Sequence, residues 1–337
     1  MGITIKDVAR EAEVCIATVS RAYNSPDKVS REKREKIFRT AGRLNYQPNA
    51  LARGLITRST RTIGIVIPDI NNIFYPCVAQ GIEDFCSDAG YLSFICNTYS
   101  NIEKEKKYIN TLLNQCIDGI IFVGTRPIKD KDNAHIVELA KKTPVVMVYD
   151  CVEGDNICSI YTNDVSGGYK ATKYLLDQGH KRIAFFSSSA MHTTYVYKQY
   201  GYEKALMEYG IQFNEQYIFK AEPYVRGGYE AMKAMWNKFG KEEIPTGIFA
   251  ISDQMALGVY RFCNENGLKI PDDFDIAGYS RTKIVNEVFD NLTTIDQMPY
   301  EMGRLAAETL IKISKKNALF QKKIVIEPQL VINKKTL

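Results

Sequence analysis

Residues 4–24 read TIKDVAREAEVCIATVSRAYN, and this stretch decides what kind of molecule the chain is. Its first half, KDVAREAE (6–13), places Val8, Ala9 and Ala12 on one helical face. Its second half, IATVSRAYN (16–24), predicts another short helix, entered through Glu13 and Cys15. Beyond a turn, REKREKIFRTAGRLN (31–45) spaces Ile37, Phe38, Ala41 and Leu44 along one face of a third helix, with Ser30 as a good N-cap. Short helices in this succession, the first two tightly joined, predict a helix-turn-helix.

The second helix is the candidate reader of DNA. A major groove admits one α-helix, and an arginine contacts guanine O6 and N7 bidentately, which is the chemistry Arg21 offers. Ile16 and Ala17 offer apolar contact to a thymine methyl. Thr18, Ser20 and Asn24 suit phosphate oxygens, contacts that position a protein without specifying sequence. The helix is entered poorly. A left-handed residue at Glu13 costs about 1–2 kcal/mol relative to glycine. Cys15 is a weak cap, a loss of roughly 1 kcal/mol against serine. The expected headpiece is therefore marginal by itself. On these residues alone, a small packed bundle with an exposed polar helix reads equally well.

Charge points to DNA but leaves a solvated basic surface about as good a reading. The net charge is +5, and residues 1–61 hold 13 Lys/Arg against 6 Asp/Glu, whereas the remainder holds 31 against 33. A small basic module on a nearly neutral large one is the footprint of a nucleic-acid binder. Between them runs YQPNALARGLITRST (46–60). Pro48 ends the third helix, and Asn49 can cap a further helix over 50–56 that is too short to persist alone. This is a hinge expected to order when its target holds it.

From residue 62 the pattern becomes strand–helix alternation. Apolar runs at 62–68, 91–96, 118–124 and 144–149 predict one set of strands, and those at 182–188, 217–220, 246–252 and 274–280 a second. Helical segments fall between them at 75–89, 102–116, 164–179, 198–210, 225–239 and 253–266. Strands apolar almost throughout belong to parallel sheets covered on both faces. The fold class is α/β: a helical headpiece and hinge, then two doubly wound subdomains with ligands bound at the strand C-termini.

Composition narrows the function classes. No apolar run approaches the ~20 residues that span a membrane. The N-terminus lacks a signal-peptide core, so a cytoplasmic protein is expected. The eight cysteines form no CxxC pair and are expected to be buried free thiols. With three histidines, no metal site is expected, nor any cofactor. No GxGxxG, P-loop or GxSxG motif is present, and Asp272–Asp273 after Pro271 reads as a turn, so catalysis is not expected.

The opening stretch, followed by VSREKREKIFRTAGRLNYQPNALARGL (29–55), resembles the DNA-binding headpiece and hinge of the lactose/galactose-repressor family. IGIVIPDINNIFYPCVAQGIEDF (63–85), DGIIFVG (118–124), LLDQGHKRIAFFS (175–187), SDQMALGVYRFCNENGLKIPDDFDIAGYS (252–280) and LTTIDQMPYEMG (292–303) resemble its regulatory domain in order and spacing. The resemblance implies a headpiece over 1–47, a hinge over 48–61 and an effector-binding and dimerisation domain of the periplasmic-binding-protein type over 62–337. Within that domain it implies an N-subdomain of about 62–161 and 293–325, and a C-subdomain of about 162–292 and 326–337.

The resemblance further implies a homodimer on a palindromic operator. Ile16, Ala17 and Arg21 match the family's base-reading positions, and Leu55 matches the hinge leucine that wedges into the minor groove, with Ala52 and Arg53 beside it. Thr4, Cys15 and Asn49 complete the candidate DNA-contacting set. No leucine heptads follow the last strand, so a dimer rather than a tetramer is expected.

For the effector, the resemblance points to Phe74, Tyr75, Tyr149, Thr162, His192, Thr194, Lys198, Asp253, Ser280 and Arg281. Here the chain departs from the family: Lys198 stands where an arginine is usual, and Ser280 and Tyr149 where aspartates are usual. A cleft with few acceptors and two cations suits a phosphorylated or carboxylated metabolite better than a neutral sugar, provided that Lys198 and Arg281 face the cleft. The catabolite-control branch, also similar here, implies instead a phosphocarrier-protein corepressor, which requires a basic surface near Arg281 for the phosphoserine.

Overall fold

The computed structural model describes residues 3–47, 59–126, 133–190, 192–239, 243–290, 292–315 and 320–333. The chain forms two compact units, 1–60 and 61–337. The expected hinge helix, with Asn49, Ala52, Arg53 and Leu55, lies outside the described residues.

In the first unit, α1 (Ile5–Glu11), α2 (Ile16–Asn24) and α3 (Arg31–Arg43) enclose Val8, Ala9, Ala12, Val19, Ile37 and Ala41. Phe38, expected inside, is exposed and meets Tyr23 edge-on at 5.0 Å. The tight α1–α2 join is made by Glu13 in the left-handed region, φ 53°. Its carboxylate accepts from Lys36 Nζ at 2.7 Å, so part of the turn's cost is offset by an exposed tie to α3.

The second unit holds two parallel sheets. β1 (Thr62–Ile67), α4 (Phe74–Asp88), β2 (Leu92–Asn97), α5 (Ile102–Asn114), β3 (Gly119–Val123), α6 (Ala134–Ala140), β4 (Val145–Val148) and β5 (Ile157–Thr162) build the first subdomain. The second continues with α7 (Asp164–Asp177), β6 (Ile183–Ser188), α8 (Thr193–Glu208), β7 (Ile218–Ala221), α9 (Val225–Lys238), β8 (Gly247–Ala250), α10 (Asp253–Glu265), β9 (Asp275–Ser280), α11 (Lys283–Val288) and β10 (Thr293–Asp296). The chain then returns through α12 (Pro299–Ser314) and β11 (Lys323–Ile326) and ends on β12 (Gln329–Val331). The sheet orders are β11-β5-β4-β3-β1-β2 and β12-β10-β9-β8-β6-β7.

The division of this unit differs from expectation at one strand. Residues 293–296 lie in the second sheet, paired parallel with Ala277–Ser280 and antiparallel with Gln329–Val331. The first subdomain regains the chain only at α12, after the reversal at Met298. The passages between subdomains are thus at 162–164, 296–299 and 326–329.

Four short strands, β5, β10, β11 and β12, are not among the expected runs; polar residues such as Ser159, Thr293 and Lys323 interrupt their apolar pattern. α8 begins five residues before the expected 198, which puts His192 and Thr194 at its N-terminus. All eight cysteines are free, but Cys15 and Cys116 are exposed rather than buried.

Candidate functional site: an exposed reading helix and a filled cleft

On α2, burial of Val19 and Ala22 turns Ile16, Ala17, Arg21 and Asn24 outward. Among the described residues Arg21 makes no ion pair, so its guanidinium fork is presented whole. Ser20 Oγ accepts from Asn24 Nδ2 at 3.2 Å and keeps its own hydrogen to donate. Cys15 is the N-cap residue, and its thiol lies 3.0 Å from Thr18 Oγ1. That hydroxyl and the amides of the first turn hold the thiol's pKa below its ordinary value.

Thr4 caps α1: its amide and hydroxyl both donate to Asp7 Oδ2, at 3.0 and 2.7 Å.

The second unit draws a different set together. Lys198 sits two turns into α8, where Gly201 and Gly168 bring α7 and α8 into backbone contact. A Cβ on Gly168 would lie 2.2 Å from the Lys198 carbonyl oxygen. That approach buries Lys198 completely. Its ammonium donates to Tyr149 Oη at 3.1 Å and to the Ile251 carbonyl at 3.2 Å, and it lies 3.7 Å from the Tyr279 ring centroid. Those contacts occupy its three hydrogens. Burial pulls its pKa down to about 8, against the opposing pull of Asp164 and Asp253. Tyr149, at a left-handed φ of 81°, stacks at a tilt on Phe74 with centroids 4.6 Å apart, and Phe74 meets Tyr75 at 5.8 Å. Aromatic rings of this chain therefore fill the centre of the cleft.

A second group closes the hinge side. Gln297 Nε2 donates to Thr162 Oγ1 at 3.0 Å and Gln297 Oε1 accepts from Ser280 Oγ at 3.0 Å. Asp164 Oδ1 accepts from Tyr279 Oη at 2.7 Å and from Thr162 at 3.1 Å. Thr162 and Ser280 are thus bonded to the chain itself. Asp253 is likewise structural, taking Thr294 Oγ1 at 2.6 Å and the Thr282 amide at 2.7 Å at the start of α10.

Arg281 is a correction. It is half-exposed and paired with Asp296 at 2.8 Å, outside the buried cluster. The left-handed turn at Ser280 and Arg281 sends the serine inward and the arginine out. One of the two cations expected to grip an anion is therefore absent from the cleft, and the other is spent on tyrosine. The basic surface required there for a phosphoserine also loses its expected centre, since Asp296 neutralises it.

The cleft's unsatisfied polar groups lie at the N-terminus of α8. Thr194 is buried, and among the described residues its Oγ1 has no partner; nor does His192 Nδ1. Burial lowers the His192 pKa, against the opposing pull of the Arg126 backbone carbonyl. His192 is therefore neutral near pH 7, with Nδ1 a bare acceptor. A further bond spans the cleft from Tyr224 Oη to Asp69 Oδ2 at 2.8 Å.

Sequence reasoning missed Asp164, Gln297, Tyr279, Tyr224 and Asp69. Each lies at a strand end or the first turn of a helix, the position that could have singled it out. Among the described residues no group of three or more His, Cys, Asp or Glu could hold a metal ion. No described helix is long and apolar enough to cross a membrane.

Comparison with known proteins gives this geometry its context. Residues 4–49 match the family described as bacterial regulatory proteins, lacI family, and residues 60–334 match periplasmic binding proteins and sugar binding domain of LacI family. Catabolite control protein A of Priestia megaterium is 36% identical over 321 residues, 95% of each chain. The HTH-type transcriptional regulator RegA of Clostridium saccharobutylicum is 33% identical over 338 residues, the full length of both. Among solved structures, the lac repressor dimer bound to operator and the anti-inducer ONPF superposes with a TM-score of 0.85 at 25% identity, covering 100% of both chains. The chain belongs to the LacI family and is a DNA-binding transcriptional repressor that carries an effector-binding domain.

Proposed function

We propose that this repressor binds its operator as a homodimer through Ile16, Ala17 and Arg21 of α2, and that its cleft takes a neutral hydroxylated ligand. The dimer reading is supported by apolar side chains left in the open: Leu92 and Phe94 on edge strand β2, 59% and 43% exposed, and Ile284 and Val288 on α11, 60% and 56% exposed. Exposed apolar groups on a sheet edge call for cover.

The observation that carries the ligand class is the pair of unsatisfied groups at the α8 N-terminus. A bare imidazole nitrogen beside a free threonine hydroxyl asks for a donor and tolerates an acceptor, which is what vicinal hydroxyls supply. A phosphate would bring acceptors alone to His192 Nδ1. The sequence-based preference for an anion depended on Lys198 and Arg281 facing the ligand, and they are bonded to Tyr149 and Asp296 instead. Phe74 and Tyr195 offer apolar faces for a sugar ring.

A thermal-shift screen of the full chain with neutral sugars and their phosphates tests this. Stabilisation by neutral sugars, lost in Thr194→Val, is expected. Stabilisation by the phosphates alone sinks the reading. Electrophoretic shift of operator fragments with and without the stabilising sugar then gives the direction of control.

A further inference from the structure

We propose that the groove between α5 and α6 is a second ligand site, separate from the cleft, that takes a small carboxylate with an apolar body. The groove lies on the first sheet, on the face away from α4 and α12. It encloses about 370 Å³, within the range of ligand pockets, roughly 300–1,000 Å³.

Its existence follows from what the two helices lack. α4 and α12 meet through Gly81 and Gly303, where a Cβ on Gly81 would fall 2.0 Å from the Tyr300 carbonyl oxygen. α5 and α6 have no glycine where they face each other. Lys106, Asn110 and Leu113 on one side stand against His135, Glu138 and Lys142 on the other, and long side chains hold the backbones apart.

The lining fixes the chemistry of the occupant. Ile109 and Leu139 form an apolar floor, and Leu113 a half-open apolar wall. Above it stand the ammonium groups of Lys106 and Lys142. Of the carboxylates around it, Glu138 is paired with Lys141, Glu103 with Lys106 in the open, and Glu105 with Arg126 and His135, which leaves Lys142 as added positive charge on the rim. An apolar floor under a net positive rim complements an acid whose body is hydrophobic. A neutral polyol would leave the floor unfilled, and an inorganic anion would use the rim alone.

The groove is also wired to the cleft. His135, on its wall, has Nε2 2.7 Å from Glu105 Oε1. Both oxygens of buried Glu105 accept from Arg126 Nη1 at 2.9 Å. The Arg126 amide donates to Asp150 Oδ2 at 2.6 Å, next to Tyr149, and its carbonyl acts on the His192 ring of the opposite subdomain. A ligand that shifts His135 therefore displaces a residue holding both sides of the cleft, a contiguous bonded route rather than mere proximity.

Isothermal titration of the full chain with hexanoate and benzoate, against 1-hexanol and benzyl alcohol, tests the site. Saturable binding of the acids is expected, weakened at least about ten-fold in Leu113→Glu and in Lys142→Glu, both surface positions that leave the fold intact. The cleft variant Thr194→Val is expected to bind the acids as the wild type does. The proposal is overturned if the alcohols bind as well as the acids, or if both groove variants bind like wild type. Loss of acid binding in Thr194→Val, or no saturable heat up to about 10 mM acid, overturns it equally. Failure of the sugar screen would leave these outcomes unaffected, because the two sites are read by different variants.

Discussion

Lys198 Nζ, on one subdomain, donates to Tyr149 Oη, on the other, at 3.1 Å, and both side chains are buried. The charge is held in a fully buried site, so it is a source of pH dependence.

The folded-state pKa of Lys198, about 8, lies below its ordinary value of 10.5 because burial disfavours the ammonium. The unfolded chain therefore keeps this proton across an interval in which the folded chain has released it. Stability from this group rises as pH climbs from about 8 to about 10.5, by on the order of 3 kcal/mol. Urea midpoints of wild type and Lys198→Met, compared at about pH 7.5 and about pH 10, are expected to shift in favour of the wild type at the higher pH. A difference that stays flat contradicts the buried-ammonium account.

Tyr224→Phe deletes the hydroxyl that reaches Asp69 across the cleft and leaves the ring in place. The bond is part-buried and charge-assisted, worth about 1–2 kcal/mol. Hydrogen exchange of the amides around Asp69 to Phe74 is expected to accelerate about five- to thirty-fold through more frequent opening. Unchanged exchange there means that the bond does not hold the cleft.

Cys15→Ser gives the N-cap of α2 a stronger hydrogen-bond acceptor than the native thiol. A gain of about 1 kcal/mol is expected in the headpiece. Slower tryptic cleavage within the first unit is the readout, with the second unit as an internal control. Cleavage at the native rate removes the capping argument.

Arg21→Ala is expected to weaken operator binding by about 1–3 kcal/mol, roughly five- to 150-fold, and to relax preference at one base pair per half-site. A phosphate contact would instead weaken all sequences alike and lower the salt slope. Competition gel shifts against single-base operator variants separate the two.

Much of this architecture is legible in the sequence because its signals are local. Strand runs such as IGIVIP and the helical spacing of Val8, Ala9 and Ala12 need no partner to be read. β5, β10, β11 and β12 were hidden because short, partly polar strands owe their state to pairing, as Ile326 does with Thr162. The cleft was legible as a list of positions but not as a chemistry. Residue identity placed Lys198 and Arg281 together as cations, whereas one left-handed turn at residues 280 and 281 separates them. Nor does spacing announce that Gly168 and Gly201 seat Lys198 against tyrosine rings. Electrostatic meaning resides in such contacts, and contacts between distant residues leave little local trace.

The bond from Gln297 to Thr162 joins two chain passages that cross between the subdomains, and a second bond ties Gln297 to Ser280 at the end of β9. Fastened side by side, these passages act as the pin of a door: the lobes can swing, while sliding would break the fastening. Under that constraint a displacement grows with its distance from the pin.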